Sequence, residues 1–522
     1  MSRPMRIVLI GYGPVGARFV EEVLPAVAAG NAELVVVGAE SDDAYNRVLL
    51  AEYAVGAASR ERLEIADTAA ARAAGADIRL AETAVAIDRH RQRVRTSRGA
   101  ALPYDRLVLA TGARANIPTL DGLQRTRHER GAAPSAELDR GAHALPAGVV
   151  ALRDLTDADA VAPVVAGGGR IVVLGAGVLG MEFALLAAEH GADVLVAHHG
   201  GTPMSRNLDE SGGRMLTRAA RAVGIGMAAH ARAEGLDFRD TLSGPVFDGI
   251  ACADGTYLRG DLLVLSCGVT PRVELALAAG LACATGMLVD EELRSWSDPD
   301  VFAIGDCAQV SDPDAAEGSG RVPGAPSGLI GPGWRQAAAL ASRLRAEAAG
   351  GVASRDAAVA LHERPTAVML KATGIDVVSG GEHDAEPWDA EREVSVWIDG
   401  ARGGYLKTVV RDGALTGFVA VGLPRAGAEL TLLYERGAAL PAEPSALLRL
   451  DAADVDAAPD ETPLGRGETV CWCNGVTAGG IADAVATGCD TVELVGSRTR
   501  AGTGCGGCRG RIAALLAAAP VV

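Results

Sequence analysis

The amino-acid sequence predicts an α/β protein with two repeated β-α-β units, a small, mainly antiparallel β domain and a small cysteine-rich C-terminal domain. The apolar runs at 6–10 and 170–174 are each followed by a glycine-rich turn and a helical stretch. Strand, helix and strand in that order favour a parallel sheet. After residue 364, short alternating apolar segments indicate antiparallel strands instead, and cysteines crowd the region 471–508.

The composition excludes several classes of function. Apolar residues make up 49% of the 522 residues, which indicates a folded globular protein. Aromatic residues reach only 3% and the formal net charge is −17, so neither base stacking nor attraction to a polyanion favours nucleic-acid binding. No stretch approaches the roughly 18 apolar residues that a membrane span needs. The N-terminus runs directly into a strand without the features of a signal peptide, so we expect a cytoplasmic protein.

The patterns divide the chain into five predicted parts: a discontinuous domain at 1–120 and 286–350, a second domain at 121–285 with a polar insertion near 121–147, an α+β interface domain at 351–450 with its short strands between about 364 and 434, an acidic linker at 451–466, and a C-terminal domain at 467–522. The linker has almost nothing to bury and is predicted to be flexible. The C-terminal domain would be too small to be stable without a bound metal.

The first glycine-rich turn, GYGPVG, lies between a strand and a helix. Gly11 permits the tight turn, Gly13 lets the backbone approach a pyrophosphate, and Gly16 lets the helix pack closely. The helix N-terminus adds its dipole and its free N–H groups. Glu40 ends the next strand, where a carboxylate can hydrogen-bond a ribose diol. Plain packing is the alternative explanation of such a turn, but strand, helix and acidic residue in order predict dinucleotide binding.

The second turn, GAGVLG, repeats the device at Gly175, Gly177 and Gly180, and Glu182 follows it. The two units are therefore both Rossmann-like. One such unit explains one dinucleotide, whereas two units in one chain imply a bound cofactor and a diffusible cofactor that meet.

The strand that ends the second unit leads into His198 and His199, where an NADH-selective site usually has a carboxylate. These histidines would be ordinary solvated turn residues in the simplest interpretation. Alternatively, no anion is present to repel a 2′-phosphate, and Arg206 could approach that phosphate. This second interpretation favours NADPH slightly over NADH.

Several segments, taken in order, resemble the pyridine nucleotide–disulfide oxidoreductases: LVLATGA at 107–113, SCGVTPRVELALAAGL at 266–281 and DPDVFAIGDCAQV at 298–310. The resemblance implies FAD in the first unit and NADH or NADPH in the second. It also implies that Thr111, Gly112 and Asp306 contact the flavin cofactor. The sequence departs from the dithiol members of that group, because no CxxxxC pair is present and Cys307 has no nearby partner cysteine. Disulfide substrates are therefore not expected.

Two further segments, ESDDAYNRVLLAEY at 40–53 and HHGGTPMSRNLDESGG at 198–213, are more closely similar to assimilatory nitrite reductase large subunits and nitrate reductase electron-transfer subunits. This resemblance implies that Tyr45, Asn46 and Arg47 line the flavin. Glu52 stands where some members of the wider group carry lysine, so a flavin-tuning role is not carried over to it.

The C-terminal cysteines form two pairs, Cys471 with Cys473 and Cys505 with Cys508. Four thiolates at this spacing fit either a 2Fe–2S cluster or tetrahedral zinc. The motifs CxCNGVT and AGTGCGGC resemble the bacterioferritin-associated-ferredoxin-like 2Fe–2S domain, and the resemblance implies a 2Fe–2S cluster on these four cysteines. Cys489 lies outside both pairs and is interpreted as a core thiol.

No segment resembles a siroheme-binding portion or a molybdopterin domain. The family resemblance therefore implies that chemistry on nitrogen lies on another chain, a molybdenum nitrate reductase or a siroheme nitrite reductase. The leading hypothesis is the electron-transfer subunit of an assimilatory nitrate (or nitrite) reductase, a flavoprotein enzyme using NAD(P)H. A general ferredoxin- or rubredoxin-type reductase is the second hypothesis. A redox- or iron-sensing binding protein is the third.

Overall fold

The fold is given by a computed structural model. It describes residues 3–123, 145–316, 322–351, 367–370, 372, 374–441, 443, 445–451, 465–471, 474–504 and 508–518. Most of the predicted insertion near 121–147 and of the predicted linker at 451–466 lies outside the described residues. None of the described helices is both long and apolar enough to cross a membrane.

The first β-α-β unit forms at the predicted place, where apolar runs alternate with an amphipathic helix. Its strands are β1 (Met5–Ile10), β2 (Ala32–Val37), β3 (Asp77–Arg79), β4 (Ala84–Asp88), β5 (Arg93–Thr96), β6 (Ala101–Pro103), β7 (Arg106–Leu109) and β8 (Ala113–Ala115). Its helices are α1 (Pro14–Ala28), α2 (Leu50–Ala54), α3 (Arg60–Leu63) and α4 (Thr68–Ala73), with a 3₁₀ turn at Arg47–Leu49. Proline in the first turn of α1 suits a helix start, because the N–H that it lacks has no partner there.

The second unit repeats this arrangement and adds an antiparallel hairpin that the sequence patterns did not indicate. Its strands are β9 (Val149–Val150), β10 (Arg170–Leu174), β11 (Asp193–Ala197), β12 (Gly226–Ala228), β13 (Ala233–Thr241), β14 (Gly244–Cys252), β15 (Tyr257–Arg259), β16 (Leu262–Leu265) and β17 (Val269–Pro271). Its helices are α5 (Leu155–Ala166), α6 (Val178–Glu189), α7 (Glu210–Ala222) and α8 (Glu274–Ala278). β12, β11, β10, β16 and β9 lie in that order in a sheet whose neighbouring strands are all parallel.

The chain then returns to the first unit. It contributes β18 (Met287–Val289), β19 (Arg294–Ser295), β20 (Asp298–Ala303), β21 (Ala308–Val310), α9 (Pro313–Ala316) and α10 (Ile330–Ala348), with a 3₁₀ turn at Gly305–Cys307. The first sheet has eight strands in the order β21-β18-β19-β20-β7-β1-β2-β3. β20, β7, β1, β2 and β3 run parallel, so their carboxyl ends share one edge, which is where open α/β sheets bind ligands.

A five-stranded antiparallel sheet follows, in agreement with the alternating pattern in the sequence. Its members are β22 (Val368–Leu370), β23 (Val377–Gly381), β24 (Glu393–Asp399), β25 (Gly404–Arg411) and β26 (Ala414–Val421), followed by α11 (Pro424–Arg436) and α12 (Ala446–Arg449). The predicted strand region extended to 434, but its last residues are helical. Pro424 suits the first turn of a helix, and buried Ala426, Leu430 and Tyr434 recur every fourth residue on one face.

The C-terminal module (residues 465–518) is small and has its own apolar core. It contains β27 (Thr469–Cys471), β28 (Val476–Thr477), α13 (Ala478–Ala486), α14 (Val492–Thr499) and α15 (Arg509–Ala518). Its core includes Ile481, Val495 and Ile512 together with the two described cysteines of the predicted cluster site.

A buried ion pair joins the antiparallel domain to the second β-α-β unit. Lys407 on β25 is 3% exposed, and its Nζ lies 3.2 Å from Asp209 Oδ2 and 2.7 Å from the carbonyl oxygen of His383. Asp209 also caps α7 through Gly212 N–H and accepts a hydrogen bond from Tyr405. Burial, and the bond to Asp209, raise the pKa of Tyr405, so its hydroxyl stays protonated as a donor.

We expect Asp209→Asn to lower the free energy of unfolding by about 3 kcal/mol, because it leaves the buried Lys407 cation without an anion while keeping a residue that can cap a helix. The double variant with Lys407→Met should recover most of that loss. Glu210→Gln removes an exposed ion pair with Arg214 in the next turn and should change stability little. Urea denaturation measures all three. A double variant less stable than Asp209→Asn alone would contradict this account of the pair.

Candidate functional site

The three glycines of the first glycine-rich turn differ in their surroundings. Gly11 has φ +107°, and a Cβ there would lie 2.1 Å from the carbonyl oxygen of Ala110 at the end of the neighbouring strand. A Cβ on Gly16 would lie 2.2 Å from the Gly11 carbonyl oxygen. A Cβ on Gly13 would meet nothing within 4 Å. Gly13 therefore faces open space at the N-terminus of α1, whereas the other two glycines are required by packing.

Thr111, Gly112 and Asp306 lie at the same edge of the sheet, because they follow the adjacent parallel strands β7 and β20. Thr111 donates a hydrogen bond to the Arg272 carbonyl oxygen at 2.8 Å, and Gly112 accepts one from Arg272 N–H at 2.9 Å. The sheet order thus brings these predicted flavin contacts together around the first glycine-rich turn.

Helix α10 packs against this edge of the first sheet, beside the first glycine-rich turn. Trp334 Nε1 donates to the Pro14 carbonyl oxygen at 3.0 Å, and Gln336 accepts from the Gly305 N–H at 2.8 Å. A Cβ on Gly333 would lie 2.6 Å from the Val15 side chain. The sequence patterns did not single out Trp334. A tryptophan near the start of a helix, in a chain with only 5 tryptophans, is a signal that could have identified it.

Glu40, Tyr45 and Arg47 form one connected group. Tyr45 donates to one carboxylate oxygen of Glu40 at 3.0 Å, and Arg47 pairs with the other. Arg47 also lies 4.8 Å from the centre of the Tyr45 ring and donates to the Arg153 carbonyl oxygen at 2.8 Å. Burial raises the pKa of Tyr45, which keeps its hydroxyl protonated as the donor to Glu40. These contacts fix the carboxylate of Glu40, which lies three residues after the end of β2.

We use the name crevice for the edge of the first sheet around the first glycine-rich turn, Glu40 and Asp306. Two arginines that the sequence patterns did not single out lie there. Arg153 lies 3.5 Å from Asp306 and donates to the Ala113 carbonyl oxygen at 3.3 Å. Burial lowers the pKa of Arg153, and the nearby Arg47 lowers it further. Burial lowers the pKa of Arg272 too, while Glu40 opposes that shift. Burial disfavours the charged forms of these two arginines, and repulsion from neighbouring arginines disfavours them further. A bound anion such as a pyrophosphate would offset both effects, so this crevice suits an anionic ligand.

The second glycine-rich turn repeats the geometry of the first. Gly175 has φ +116°, and its Cβ would lie 2.2 Å from the Ser266 carbonyl oxygen. A Cβ on Gly180 would lie 2.2 Å from the Gly175 oxygen, and one on Gly177 would meet nothing within 4 Å. Leu179, in the first turn of α6, is 63% exposed, and Glu182 one turn later is half-buried. The open space at Gly177 and the exposed Leu179 side chain form a second surface that is suited to a nucleotide.

The loop after β11 folds back over this turn, since Met204 N–H donates to the Ala176 carbonyl oxygen at 2.7 Å. His198 is buried, whereas His199 and Arg206 are exposed. Burial lowers the pKa of His198, and the neighbouring His199 and His230 lower it further. The sequence did not indicate His230, which lies 31 residues further along the chain than His199 and reaches this place only through the fold.

The two nucleotide units are joined by a short antiparallel ladder. β8, which follows the flavin-side strand β7, pairs with β17, which follows the second sheet. Asn116 N–H donates to the Gly268 carbonyl oxygen at 2.9 Å, and its side chain bonds Thr270 at 2.6 Å. The ladder places the carboxyl ends of β7 and β16 near each other, which is the geometry that two cofactors need in order to meet.

Asn46 differs from its two neighbours in the predicted flavin-lining segment. Its side chain is fully buried, and its Nδ2 donates to the carbonyl oxygens of Thr503 at 3.2 Å and Gly504 at 2.9 Å. Its Oδ1 accepts from the Val48 N–H at 3.1 Å. The Asn46 side chain is therefore bound to the C-terminal module.

Within that module, Cys471 is fully buried and Cys508 is 8% exposed, and both belong to the same core. Asn474 Nδ2 lies 3.8 Å from Cys471 Sγ, so it is placed to donate to that sulfur. Cys473 and Cys505 lie outside the described residues. The described residues contain two of the four predicted ligands and no group of three or more His, Cys, Asp or Glu that could hold a metal ion.

The remaining cysteines have the character of core thiols. Cys252, Cys267, Cys283 and Cys307 are free thiols, and burial raises the pKa of Cys267 and of Cys283 to about 11. Cys489 is half-buried and packs against the core of the C-terminal module. Protonated thiols are poor nucleophiles, which agrees with the missing CxxxxC pair.

Comparison with protein families agrees with this geometry. Residues 5–326 match the family model described as "Pyridine nucleotide-disulphide oxidoreductase", and residues 469–518 match the "BFD-like [2Fe-2S] binding domain". The predictions of an FAD- and NAD(P)H-binding α/β fold and of a C-terminal 2Fe–2S-binding domain are thereby confirmed. Spacing alone had left zinc open, and the second match favours the cluster.

Three known proteins illustrate the similarity. The "Assimilatory nitrate reductase electron transfer subunit" of Bacillus subtilis (strain 168) is 30% identical over 521 residues, which cover 98% of this chain and 60% of that protein. The "Nitrite reductase [NAD(P)H] large subunit" of Klebsiella oxytoca is 32% identical, over 97% of this chain and 48% of that protein. This chain therefore spans about half the length of the curated relatives that it matches.

The third protein is putidaredoxin reductase in its covalent complex with putidaredoxin. Its structure superposes with a TM-score of 0.67 at 23% identity, over 85% of this chain and 96% of that one. An identity this low shows a common fold alone. The family match covers more than half of the residues, and the solved structure has the same fold. The chain belongs to the pyridine nucleotide-disulphide oxidoreductase family.

Proposed function

We propose that this chain takes hydride from NAD(P)H onto FAD and passes single electrons to a 2Fe–2S cluster in its C-terminal module. The observation that carries the proposal is that the cysteine-bearing module is hydrogen-bonded to the predicted flavin-lining segment at Asn46. A cluster module would need such proximity to accept electrons from a flavin. FAD supplies the conversion of a two-electron hydride donor into single electrons, and the protein supplies binding and orientation.

The proposed flavin site is the crevice around the first glycine-rich turn. Gly11, Gly13 and Gly16 would admit the pyrophosphate to the N-terminus of α1, where N–H groups and the helix dipole favour an anion. Glu40, held by Tyr45 and Arg47, would accept hydrogen bonds from the ribose hydroxyls. Thr111, Gly112 and Asp306 would contact the remainder of the cofactor.

We include Arg153 and Arg272 in the proposed flavin site because of where they lie. Both are cations whose charged forms are disfavoured by burial, and both lie near Glu40, Arg47 or Asp306. Positive charge at this place would stabilise the pyrophosphate and any negative charge that the flavin gains on reduction. We propose them as cofactor-binding residues in addition to those that the sequence indicated.

The proposed NAD(P)H site is the surface around Gly175, Gly177 and Gly180. Met204 lies in the loop after β11 and holds that loop against the second glycine-rich turn. The exposed His199 and Arg206 belong to the same loop. The described residues 198–208, which follow β11, include no carboxylate that would repel a 2′-phosphate. His199 and Arg206, with His230, would attract that phosphate. We therefore propose that NADPH is accepted at least as well as NADH. Glu182 and His198 are further residues that we propose for this NAD(P)H site.

The proposed acceptor is a separate catalytic chain of assimilatory nitrate or nitrite reduction, such as a molybdenum nitrate reductase or a siroheme nitrite reductase. The names of the Bacillus and Klebsiella relatives support this proposal. Mixing the purified chain with each candidate acceptor enzyme should make NAD(P)H oxidation depend on nitrate or on nitrite. Activity with ferredoxin or rubredoxin and with neither enzyme would favour the general reductase, and absence of any turnover with artificial acceptors would favour the sensor.

Replacing Gly13 with valine should abolish FAD retention, reducing the flavin content of purified protein at least about tenfold, because a side chain would fill the open space over α1. The backbone at Gly13 (φ −86°, ψ −169°) accepts valine, so the variant should still fold. Gly177→Val is the matched control, with φ −74° and equally open space. It should keep FAD and lose affinity for NAD(P)H. Equal flavin content in the two variants would contradict the assignment of the two turns.

We expect His199→Glu to shift the ratio of kcat/KM toward NADH by about tenfold, because it restores a carboxylate that repels the 2′-phosphate of NADPH. Steady-state kinetics with both nucleotides measures the ratio. His190→Glu makes the same change in charge on an exposed histidine before β11 and should leave the ratio unchanged. A strong preference of the wild-type protein for NADH would show that the missing carboxylate was misinterpreted.

Cys508→Ser should remove the visible absorption of the cluster and the iron of the anaerobically purified protein, while FAD content and NAD(P)H-dependent dye reduction persist. The reason is that Cys508 lies in the core of a module separate from the nucleotide-binding sheets. Cys489→Ser, at a half-buried cysteine of the same module, should keep both cofactors. One zinc and no iron in the wild-type protein would overturn the cluster assignment.

A further inference from the structure

The contact between Asn46 and the C-terminal module uses both donor hydrogens of one buried amide. Both hydrogens of Asn46 Nδ2 are donated to the consecutive carbonyl groups of Thr503 and Gly504, and Oδ1 accepts from Val48 N–H. The Asn46 backbone N–H donates to the Leu63 carbonyl oxygen at 2.7 Å. The side chain is therefore held rigidly between the flavin-side segment and a backbone more than 450 residues away in sequence.

Charged groups at the rim reinforce this contact. Arg500, at the end of α14, forms an ion pair with Glu21 on the first helix of the flavin-binding unit. The pKa of Glu493 is lowered, first by a backbone hydrogen bond in the first turn of α14, then by Arg509, and also by Arg62 across the contact. Opposite charges thus face each other on the two sides. We use the name docking surface for Glu21 and Asn46, and the name cluster loop for residues 500–504.

The cluster loop is tied to a predicted cluster ligand as well. Asn474 Nδ2 donates to the Arg500 carbonyl oxygen at 2.7 Å and lies 3.8 Å from Cys471 Sγ. Thr503 Oγ1 donates to the same carbonyl oxygen at 2.8 Å. Gly504 directly precedes Cys505 in the sequence. A short chain of hydrogen bonds therefore connects the docking surface to the cysteine-bearing end of the module.

We propose that Asn46 is a positioning residue for internal electron transfer: with Glu21 it forms the docking surface that holds the cluster loop against the flavin-binding unit. This inference rests on the proposed function and deepens it. In the step that it assists, reduced flavin loses one electron and the oxidised cluster gains it, no bond forms or breaks, and NAD(P)H is the source of the electrons. Asn46 acts through the cluster loop and takes no part in hydride transfer.

An asparagine suits this position for a physical reason. Two neighbouring carbonyl oxygens need two donors at a fixed separation, and a primary amide supplies both without a charge to bury. Aspartate has the same size but would place its negative charge against these two oxygens. Among the residues that the structure describes, hydrogen bonds and an ion pair make this contact, and the two parts have separate apolar cores. Substitutions should therefore loosen the docking without unfolding either part.

The first experiment uses residues outside the predicted flavin site. Arg500→Glu and Glu21→Arg each place like charges opposite one another, and the double variant restores an ion pair of reversed polarity. Arg498→Glu is the matched control, since Arg498 is an exposed arginine of the same helix that makes no ion pair among the described residues. Anaerobic rapid mixing with NAD(P)H follows the flavin and cluster absorption separately, and amide hydrogen exchange follows peptides that contain 500–504.

In each single variant we expect flavin reduction at the wild-type rate, cluster reduction slowed at least about fivefold, and faster amide exchange in the cluster loop. The double variant should return to within about twofold of the wild type, and the Arg498 control should not change. Equal slowing in the control, or no recovery in the double variant, would show that this ion pair has no role in docking.

Asn46→Asp tests the central contact directly. Rates are compared per bound flavin, because Asn46 also lies in the predicted flavin-lining segment. Cluster reduction should slow about tenfold or more, with faster exchange in the cluster loop. A wild-type rate and wild-type exchange in Asn46→Asp would overturn the inference while leaving the proposed function intact. If wild-type protein with bound iron and FAD reduces its flavin but never its cluster, the proposed function itself fails.

Discussion

The close contact between each glycine-rich turn and the strand beside it is the constraint on which both nucleotide sites depend. At Gly11 and at Gly175 a Cβ would lie within 2.2 Å of a carbonyl oxygen on the neighbouring strand, and both residues have positive φ. Only glycine can occupy such a position, because any side chain would force the turn away from the sheet. The contact brings the helix N-terminus to the carboxyl edge of the parallel strands. At Gly13 and Gly177, by contrast, a Cβ would meet nothing within 4 Å.

The domains are joined by contacts of two physical kinds. The antiparallel domain shares an apolar core with the second nucleotide-binding unit, in which Tyr405 and Val419 lie with Phe183, and the buried Lys407–Asp209 pair adds to that joint. The C-terminal module has a core of its own and meets the flavin-binding unit through Asn46 and the Glu21–Arg500 pair. Apolar burial favours permanent association, whereas polar contacts can be exchanged for water at small cost. This difference suits a rigid scaffold that carries a C-terminal module with a core of its own.

Three arginines near the first glycine-rich turn give a physical reason why an anionic ligand would suit the proposed flavin site. Arg47 and Arg153 repel each other and Arg272, and Glu40 and Asp306 compensate only part of this charge. A bound pyrophosphate would supply the missing negative charge. The family match implies FAD in this part of the chain, and the charge balance gives a physical reason why an anionic dinucleotide belongs there.

The sequence by itself determined the features that depend on local geometry. Glycine spacing, apolar periodicity and the paired cysteines each act over a few residues, so they predicted two Rossmann-like units, an antiparallel domain and a module that holds either a 2Fe–2S cluster or zinc. The resemblance of the cysteine motifs to a known 2Fe–2S domain then favoured the cluster. Only the tertiary structure decided which side chains meet across the fold. Arg153, Arg272 and His230 lie beside predicted site residues because segments distant in sequence meet at the ends of the strands, and the partners of Asn46 lie more than 450 residues away. Such contacts depend on sheet order and on docking between separate cores, and no local pattern in the chain encodes them.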